Sequence, residues 1–172
     1  MAKNLIIYYS RKGENYFNGS IRSIAKGNTE RAAEYIQQAV GGDLFEVETV
    51  KPYATSYSAC IEEAKQELRT DARPELKKYL TDISAYDTVF VCGPCWWGTY
   101  PMAIFSQLNK LNFHGKKVTA LMTHEGSGLA NSERDLQKHC AGATFVKGLA
   151  VHGGSVEGAK AQIAAWAKQV AA

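Results

Sequence analysis

Hydrophobic and polar positions fall into two kinds of block along this chain. Short unbroken apolar runs alternate with longer stretches whose apolar residues recur every three or four positions. Leu5-Ile6-Ile7-Tyr8-Tyr9 is the first unbroken run, the pattern of a central strand covered on both faces. It ends at Ser10-Arg11, and a polar, glycine-bearing segment extends through Lys26. Asn28 or Thr29 then caps a helix in which Ala32, Ala33, Ile36 and Val40 share a face until Gly41-Gly42 ends it. Leu44 to Glu48 alternates as a half-exposed edge strand does. A second helix is predicted from Tyr57 to Arg69, with Cys60, Ile61, Ala64 and Leu68 inward. Asp71 to Pro74 breaks it, and Pro74 opens a short extra turn.

The pattern then repeats. Asp87 to Cys92 is a buried strand, Pro101 to Leu111 a helix with Ile104, Phe105, Leu108 and Leu111 inward, and Lys117 to Met122 another buried strand. A helix from Ser132 to Cys140, a strand within Thr144 to Val151, and a helix from Ser155 to Val170 complete the chain. The last helix turns Val156, Ala159, Ile163, Trp166 and Val170 to the core. Five alternations of strand and helix imply a parallel sheet with helices on both faces. Ligands bind such sheets at the carboxyl ends of the strands, where the winding reverses.

Three loops leave those ends with unusual composition: Ser10 to Thr29, Pro94 to Tyr100, and Thr123 to Gly128. In the second, Gly93-Pro94 stops the strand ladder and two adjacent tryptophans, Trp96 and Trp97, follow before Gly98 and Pro101. Two neighbouring indoles in a loop cannot both point into the core, so one is expected to stack on a flat ligand. The first loop ends at a helix start, where free amides suit a phosphate, with Ser10, Asn28 and Thr29 as small donors; an ordinary N-cap uses the same residues. The third loop exposes amides and hydroxyls suited to the polar edge of a heterocycle, and His124 is given no acid or base role.

Composition adds exclusions. The 172 residues read as one domain, 1–172, with 45% hydrophobic and 22% charged residues and a net charge of +3. The lysines are dispersed, which argues against nucleic-acid binding. The apolar run near the N-terminus is too short for a leader's core, and no stretch reaches membrane-spanning length. The expected location is the cytoplasm, where Cys60, Cys92, Cys95 and Cys140 stay reduced. Cys92-Gly93-Pro94-Cys95 spells a thiol-redox motif, but Cys92 ends a strand and no helix begins before Pro101, so the thiolate-stabilising helix terminus is missing. There is no metal-ligand spacing, and no G-x-x-x-x-G-K-[ST] or G-x-G-x-x-G.

With these residues laid out, the chain resembles the flavodoxin family along nearly its whole length. Tyr9-Ser10-Arg11 with Gly27-Asn28-Thr29 resembles the family's phosphate loop. Gly93-Pro94-Cys95-Trp96-Trp97-Gly98-Thr99-Tyr100-Pro101 and Thr123-His124-Glu125-Gly126-Ser127-Gly128 are similar to the W-W-G and T-H-x-G-S-G loops of one bacterial subgroup. The resemblance implies a flavodoxin-like three-layer α/β sandwich, its five parallel strands in the order 2-1-3-4-5, holding flavin mononucleotide (FMN) without a covalent bond. It assigns Ser10, Arg11, Asn28 and Thr29 to the phosphate and Trp96 or Trp97 to the ring, with Pro94 and Gly98 beside it. Thr123, Glu125, Gly126 and Ser127 take the ring edge. Gly98 permits the peptide flip by which flavodoxins offer a carbonyl to a protonated flavin N5.

Two departures change the picture. The phosphate loop carries an insertion, Lys12 to Ala25, and Lys26 replaces the family's threonine, so Lys12, Asn15 or Tyr16 joins the phosphate or covers the ring. The chain is also slightly basic where electron-carrying flavodoxins are acidic. No catalytic side chain is expected, because the cofactor is the redox centre. Three readings follow: an electron carrier working between redox partner proteins, an FMN-dependent NAD(P)H oxidoreductase acting on quinones or similar acceptors, and a flavin-free binding module.

Overall fold

The computed structural model describes residues 3–172; residues 1 and 2 of the segment read as too short for a leader lie outside that range. Strand β1 (Asn4–Tyr8) is buried at every position, with Leu5 and Ile7 on one face and Ile6 and Tyr8 on the other. It pairs in parallel with β4 (Asp43–Glu46) on one side and β5 (Thr88–Pro94) on the other. β6 (Lys117–His124) and β7 (Thr144–His152) extend the sheet to the order β4-β1-β5-β6-β7, all parallel. Counted among the sheet's own five strands, that is the expected order 2-1-3-4-5.

The alternation of β1, β5 and β6 feeds two cores. On one face Ile6, Phe90 and Leu121 meet Ala32, Ala33 and Ile36 of α1 (Asn28–Val40) and Ile163, Ala167 and Val170 of α5 (Lys160–Ala171). On the other, Leu5, Val89 and Val91 meet Ile104, Phe105 and Leu108 of α3 (Met102–Leu108) and Leu136 of α4 (Ser132–His139). α2 (Tyr57–Arg69) follows β4.

Several expectations need correction. Lys12 to Ala25 is no irregular loop but an antiparallel hairpin, β2 (Gly13–Phe17) and β3 (Ser20–Ile24). Its turn residues Asn18 and Gly19 have φ of 51° and 86°, as a tight hairpin turn requires. Gly93-Pro94 does not stop β5, which runs through Pro94 opposite Thr123. Cys92 faces β1, accepting from Tyr9, and Cys95 faces β6, donating to Thr123 O. By that alternation the missing donor of Pro94 points past the end of β1, where no ladder bond is lost. α3 ends at Leu108, beyond which the backbone bonds tighten to three-residue spacing, Lys110 N–H to Gln107 O and Leu111 N–H to Leu108 O. Residues Gly153–Ala159 form a 3-10 turn before α5 rather than its first turns. Leu68 is 38% exposed, so α2 buries only Cys60 and Ala64. After Pro74 the chain makes a bridge, Thr49 to Leu76, in place of a helical turn, because Val50 and Lys77 bond across it.

Candidate functional site

The carboxyl ends of β1, β5, β6 and β7 surround a cavity of about 360 Å³. One end of it is the start of α1. The N-cap there is Gly27, extended and without a side-chain cap, so neither Asn28 nor Thr29 caps the helix. Ser10 Oγ does so from twenty residues away, accepting the Glu30 N–H at 3.0 Å. That arrangement frees the Asn28 side chain and leaves the Asn28 and Thr29 amides, which have no carbonyl to reach inside the helix. Thr29 Oγ1 meets Thr123 Oγ1 at 2.8 Å, both buried, tying the helix start to the end of β6.

The tryptophan loop is a tight turn. Trp96 N–H donates to Thr99 O at 2.8 Å, and Trp97 and Gly98 have φ of 57° and 88°, the two left-handed positions of a type I′ turn. The turn sends the indoles opposite ways. Trp96 lines the cavity, packed edge-on against Tyr9 and Tyr53 with centroids 5.2 and 5.0 Å away. Trp97 turns out over α2, 48% exposed, with Nε1–H donating to Ile61 O at 2.9 Å and Lys65 5.3 Å from its ring centroid. Gly93 lets the loop fold back: a Cβ there would lie 2.7 Å from the Tyr100 ring, whose hydroxyl donates to Val91 O.

The third loop is fixed by its own side chains. His124 Nδ1 accepts the Gly126 N–H at 2.9 Å. Burial, and then the neighbouring His152, hold the His124 pKa below its usual value, so the imidazole favours its neutral form. Glu125 sets one carboxylate oxygen 3.3 Å from His152 Nε2 and the other 3.4 Å from the Asn18 N–H. Gly126 and Ser127 are exposed at the rim.

The cavity thus gathers Arg11, Asn28, Thr29, Pro94, Trp96, Thr123, Glu125, Gly126 and Ser127 of the expected set. Ser10 and Lys12 lie instead on a neighbouring cavity, and Trp97 and Gly98 line neither. Arg11 reaches the rim, yet its donors go to Glu14 O, Ala54 O and Thr55 O. Asn15 and Tyr16 of the hairpin do join the lining. Tyr57, Cys95, His124 and Gly153 join it without having been singled out for it. Asn18-Gly19, between Tyr16-Phe17 and Ser20-Ile21, was the readable signal for the hairpin, since Asn-Gly is the strongest short-range hairpin cue. Of the thiol motif, Cys92 is fully buried with its pKa pushed well up by burial, the opposite of a reactive thiolate, and all four cysteines are free. Among the described residues there is no His, Cys, Asp or Glu cluster able to hold a metal, and no helix long and apolar enough to cross a membrane.

No curated protein sequence matches the chain. Among solved structures it is similar to two proteins described as candidate flavoproteins. The one from Bacteroides eggerthii is 27% identical over 100% of this chain and 99% of that one, with a TM-score of 0.76. The one from Bacteroides uniformis is 27% identical over 97% and 98%, also at 0.76. A flavoprotein from Lactobacillus acidophilus, solved in complex with FMN, shares the fold at 19% identity over 92% and 98%, with a TM-score of 0.65. A family model described as flavodoxin matches residues 17–170. With that match over most of the chain, leaving out β1 and all of β2 but Phe17, the chain belongs to the flavodoxin family.

Proposed function

We propose that this protein is an FMN-binding electron carrier that passes electrons between redox partner proteins. The observation that carries the reading is the convergence, on one cavity, of a helix start, an aromatic wall and a glycine-bearing loop rich in amides. The residues fit the group. The Asn28 and Thr29 amides and the positive end of α1 suit its phosphate. Trp96 and Pro94 offer the ring a flat apolar wall. Gly126 and Ser127 present backbone and hydroxyl groups to a polar ring edge. The volume lies within the range of small-molecule pockets, about 300–1,000 Å³. FMN is also the ligand of the Lactobacillus acidophilus relative.

When bound, FMN supplies the redox chemistry, and the chain's own residues set its surroundings. The Trp96–Tyr9–Tyr53 cluster forms a low-polarity wall that excludes water and disfavours added negative charge beside it. Neutral His124 holds the Gly126 amide and so fixes the loop at the ring edge. Its four free thiols suit a reducing compartment such as the cytoplasm.

A second reading, an FMN-dependent NAD(P)H oxidoreductase, is favoured by one observation: the net charge of +3, where a carrier steered to basic partners would be acidic. An anaerobic reductive titration with and without NADPH separates the two. The carrier reading expects a yellow protein that chemical reductants bleach stepwise and NADPH alone leaves almost unchanged. Rapid bleaching by NADPH would establish the oxidoreductase, and a colourless protein that takes up no FMN would reject both.

A further inference from the structure

We propose that the β2–β3 hairpin is a fitted cover over the cofactor pocket, latched by Glu125 and by a glycine notch at Gly154, and that its opening sets the rate of cofactor release. The inference rests on the FMN reading of the pocket.

The hairpin is held on both flanks of the cavity. Toward α2, Glu14 Oε1 accepts the Tyr57 N–H at 2.9 Å, and the Tyr16 ring lies over Tyr57 with centroids 6.2 Å apart and planes tilted by 31°. Arg11 ties Glu14 O to the carbonyls of Ala54 and Thr55. Toward β6 and β7, the Asn18 N–H at the hairpin tip reaches Glu125, whose other oxygen pairs with His152. The Asn18 side chain rests on Gly154, where any Cβ would collide with Asn18 Oδ1. Between the two flanks, Asn15 and Tyr16 line the cavity. Glu125 is therefore a positioning residue that fastens the cover to the pocket rim.

The same geometry makes the hairpin the part that opens. It forms a separate two-stranded sheet, unpaired with the main one, and all of β3 but Ile24 is exposed. An isolated two-stranded ribbon is marginal in water, so its closure depends on the flanking contacts. Those contacts are a handful of polar bonds and one ring pair, and such regions populate the open state first. A ligand under the hairpin has to wait for that opening.

The test compares the FMN-loaded protein with Gly154→Ala and with Gly154→Ala/Asn18→Gly. Gly154 lies in a 3-10 turn whose backbone alanine adopts freely, so the added methyl acts by turning the Asn18 side chain out of the notch. Glycine at position 18 removes that collision while keeping the left-handed turn. Release is followed by the recovery of flavin fluorescence on dilution, and hairpin opening by the rate of tryptic cleavage after Arg22 in the FMN-free protein. Gly154→Ala is expected to release FMN about threefold faster, because it unseats the Asn18 side chain while the Asn18 N–H keeps Glu125. It is also expected to be cut sooner after Arg22, and the double variant, which has lost the Asn18 side chain from the notch, to release FMN and be cut as fast as Gly154→Ala. Glu125→Gln, which removes the charge facing His152, shifts both in the same direction and serves if Gly154→Ala does not fold. Equal release and equal cleavage in the wild type and Gly154→Ala overturn the cover. If the wild-type protein binds no FMN, the FMN reading fails, and the cleavage rates alone still decide whether the latch exists.

Discussion

The hydroxyls of Thr29 and Thr123 meet at 2.8 Å in a buried position, joining the first turn of α1 to the end of β6. The pair ties the α1 end of the pocket to the start of the loop that follows β6. Removing either hydroxyl leaves the other buried and unpartnered. Thr29→Val or Thr123→Val is expected to cost about 1–3 kcal/mol of folding stability. The double variant should cost less than the sum, because no orphaned hydroxyl remains. Denaturant unfolding of the four proteins checks this, and strict additivity contradicts the pairing.

The two tryptophans should separate cleanly by function. Trp96→Ala removes an aromatic wall of the cavity and is expected to weaken FMN binding by about 1–3 kcal/mol. Trp97→Ala removes a ring that lies over α2 and should leave FMN affinity within about threefold of the wild type. Fluorescence titration of the FMN-free variants measures both, and equal losses at the two positions reject the assignment.

Much of this arrangement was legible in the chain, and the exceptions share a cause. Period-two and period-3.6 patterning gave the five strands of the main sheet, with β1, β5 and β6 apolar on both faces, while their order came from the resemblance to the flavodoxin family. The convergence of three loops followed from topology alone. Choosing between Trp96 and Trp97 did not, because it depends on the left-handed turn at Trp97 and Gly98, a conformation tryptophan seldom adopts. Ser10 capping Glu30 and Glu125 reaching Asn18 were likewise hidden, since both join residues far apart in sequence. The resemblance assigned Arg11 to the phosphate, and the insertion offered Lys12 as one residue to join the phosphate or cover the ring, yet Arg11 spends its donors on backbone carbonyls and Lys12 faces the neighbouring cavity.

The thiol pair has a testable asymmetry. Cys92 is fully buried between strands, whereas Cys95 is half-exposed at the cavity wall. Cys92→Ser is expected to lower stability by about 1–3 kcal/mol, because it buries a hydroxyl in an apolar site. Cys95→Ser should change it little. Both variants should keep the flavin's reduction potential and its reversibility, read by spectroelectrochemistry. Loss of redox turnover with the flavin still bound would restore a thiol role.

His124 predicts a pH dependence with a definite sign. Its folded pKa lies below its unfolded value of 6.5, so between the two the unfolded chain binds more protons than the folded one. Stability therefore rises with pH across that window and falls as pH drops below 6.5. Protonation at Nδ1 also removes the acceptor of the Gly126 N–H, loosening the ring-edge loop. His124→Gln should flatten the slope in the window below pH 6.5 in chemical unfolding, with FMN affinity losing its decline over the same window. An unchanged slope contradicts the role given to the imidazole.

The most direct measurement is a titration of the FMN-free protein with FMN and, separately, with riboflavin, followed by quenching of flavin fluorescence. One FMN per chain is expected to bind, weakened by Trp96→Ala, with riboflavin binding far less tightly because it brings no phosphate to the start of α1. No binding of FMN, or equal affinity for the two flavins, contradicts a pocket that joins a phosphate site to an aromatic wall.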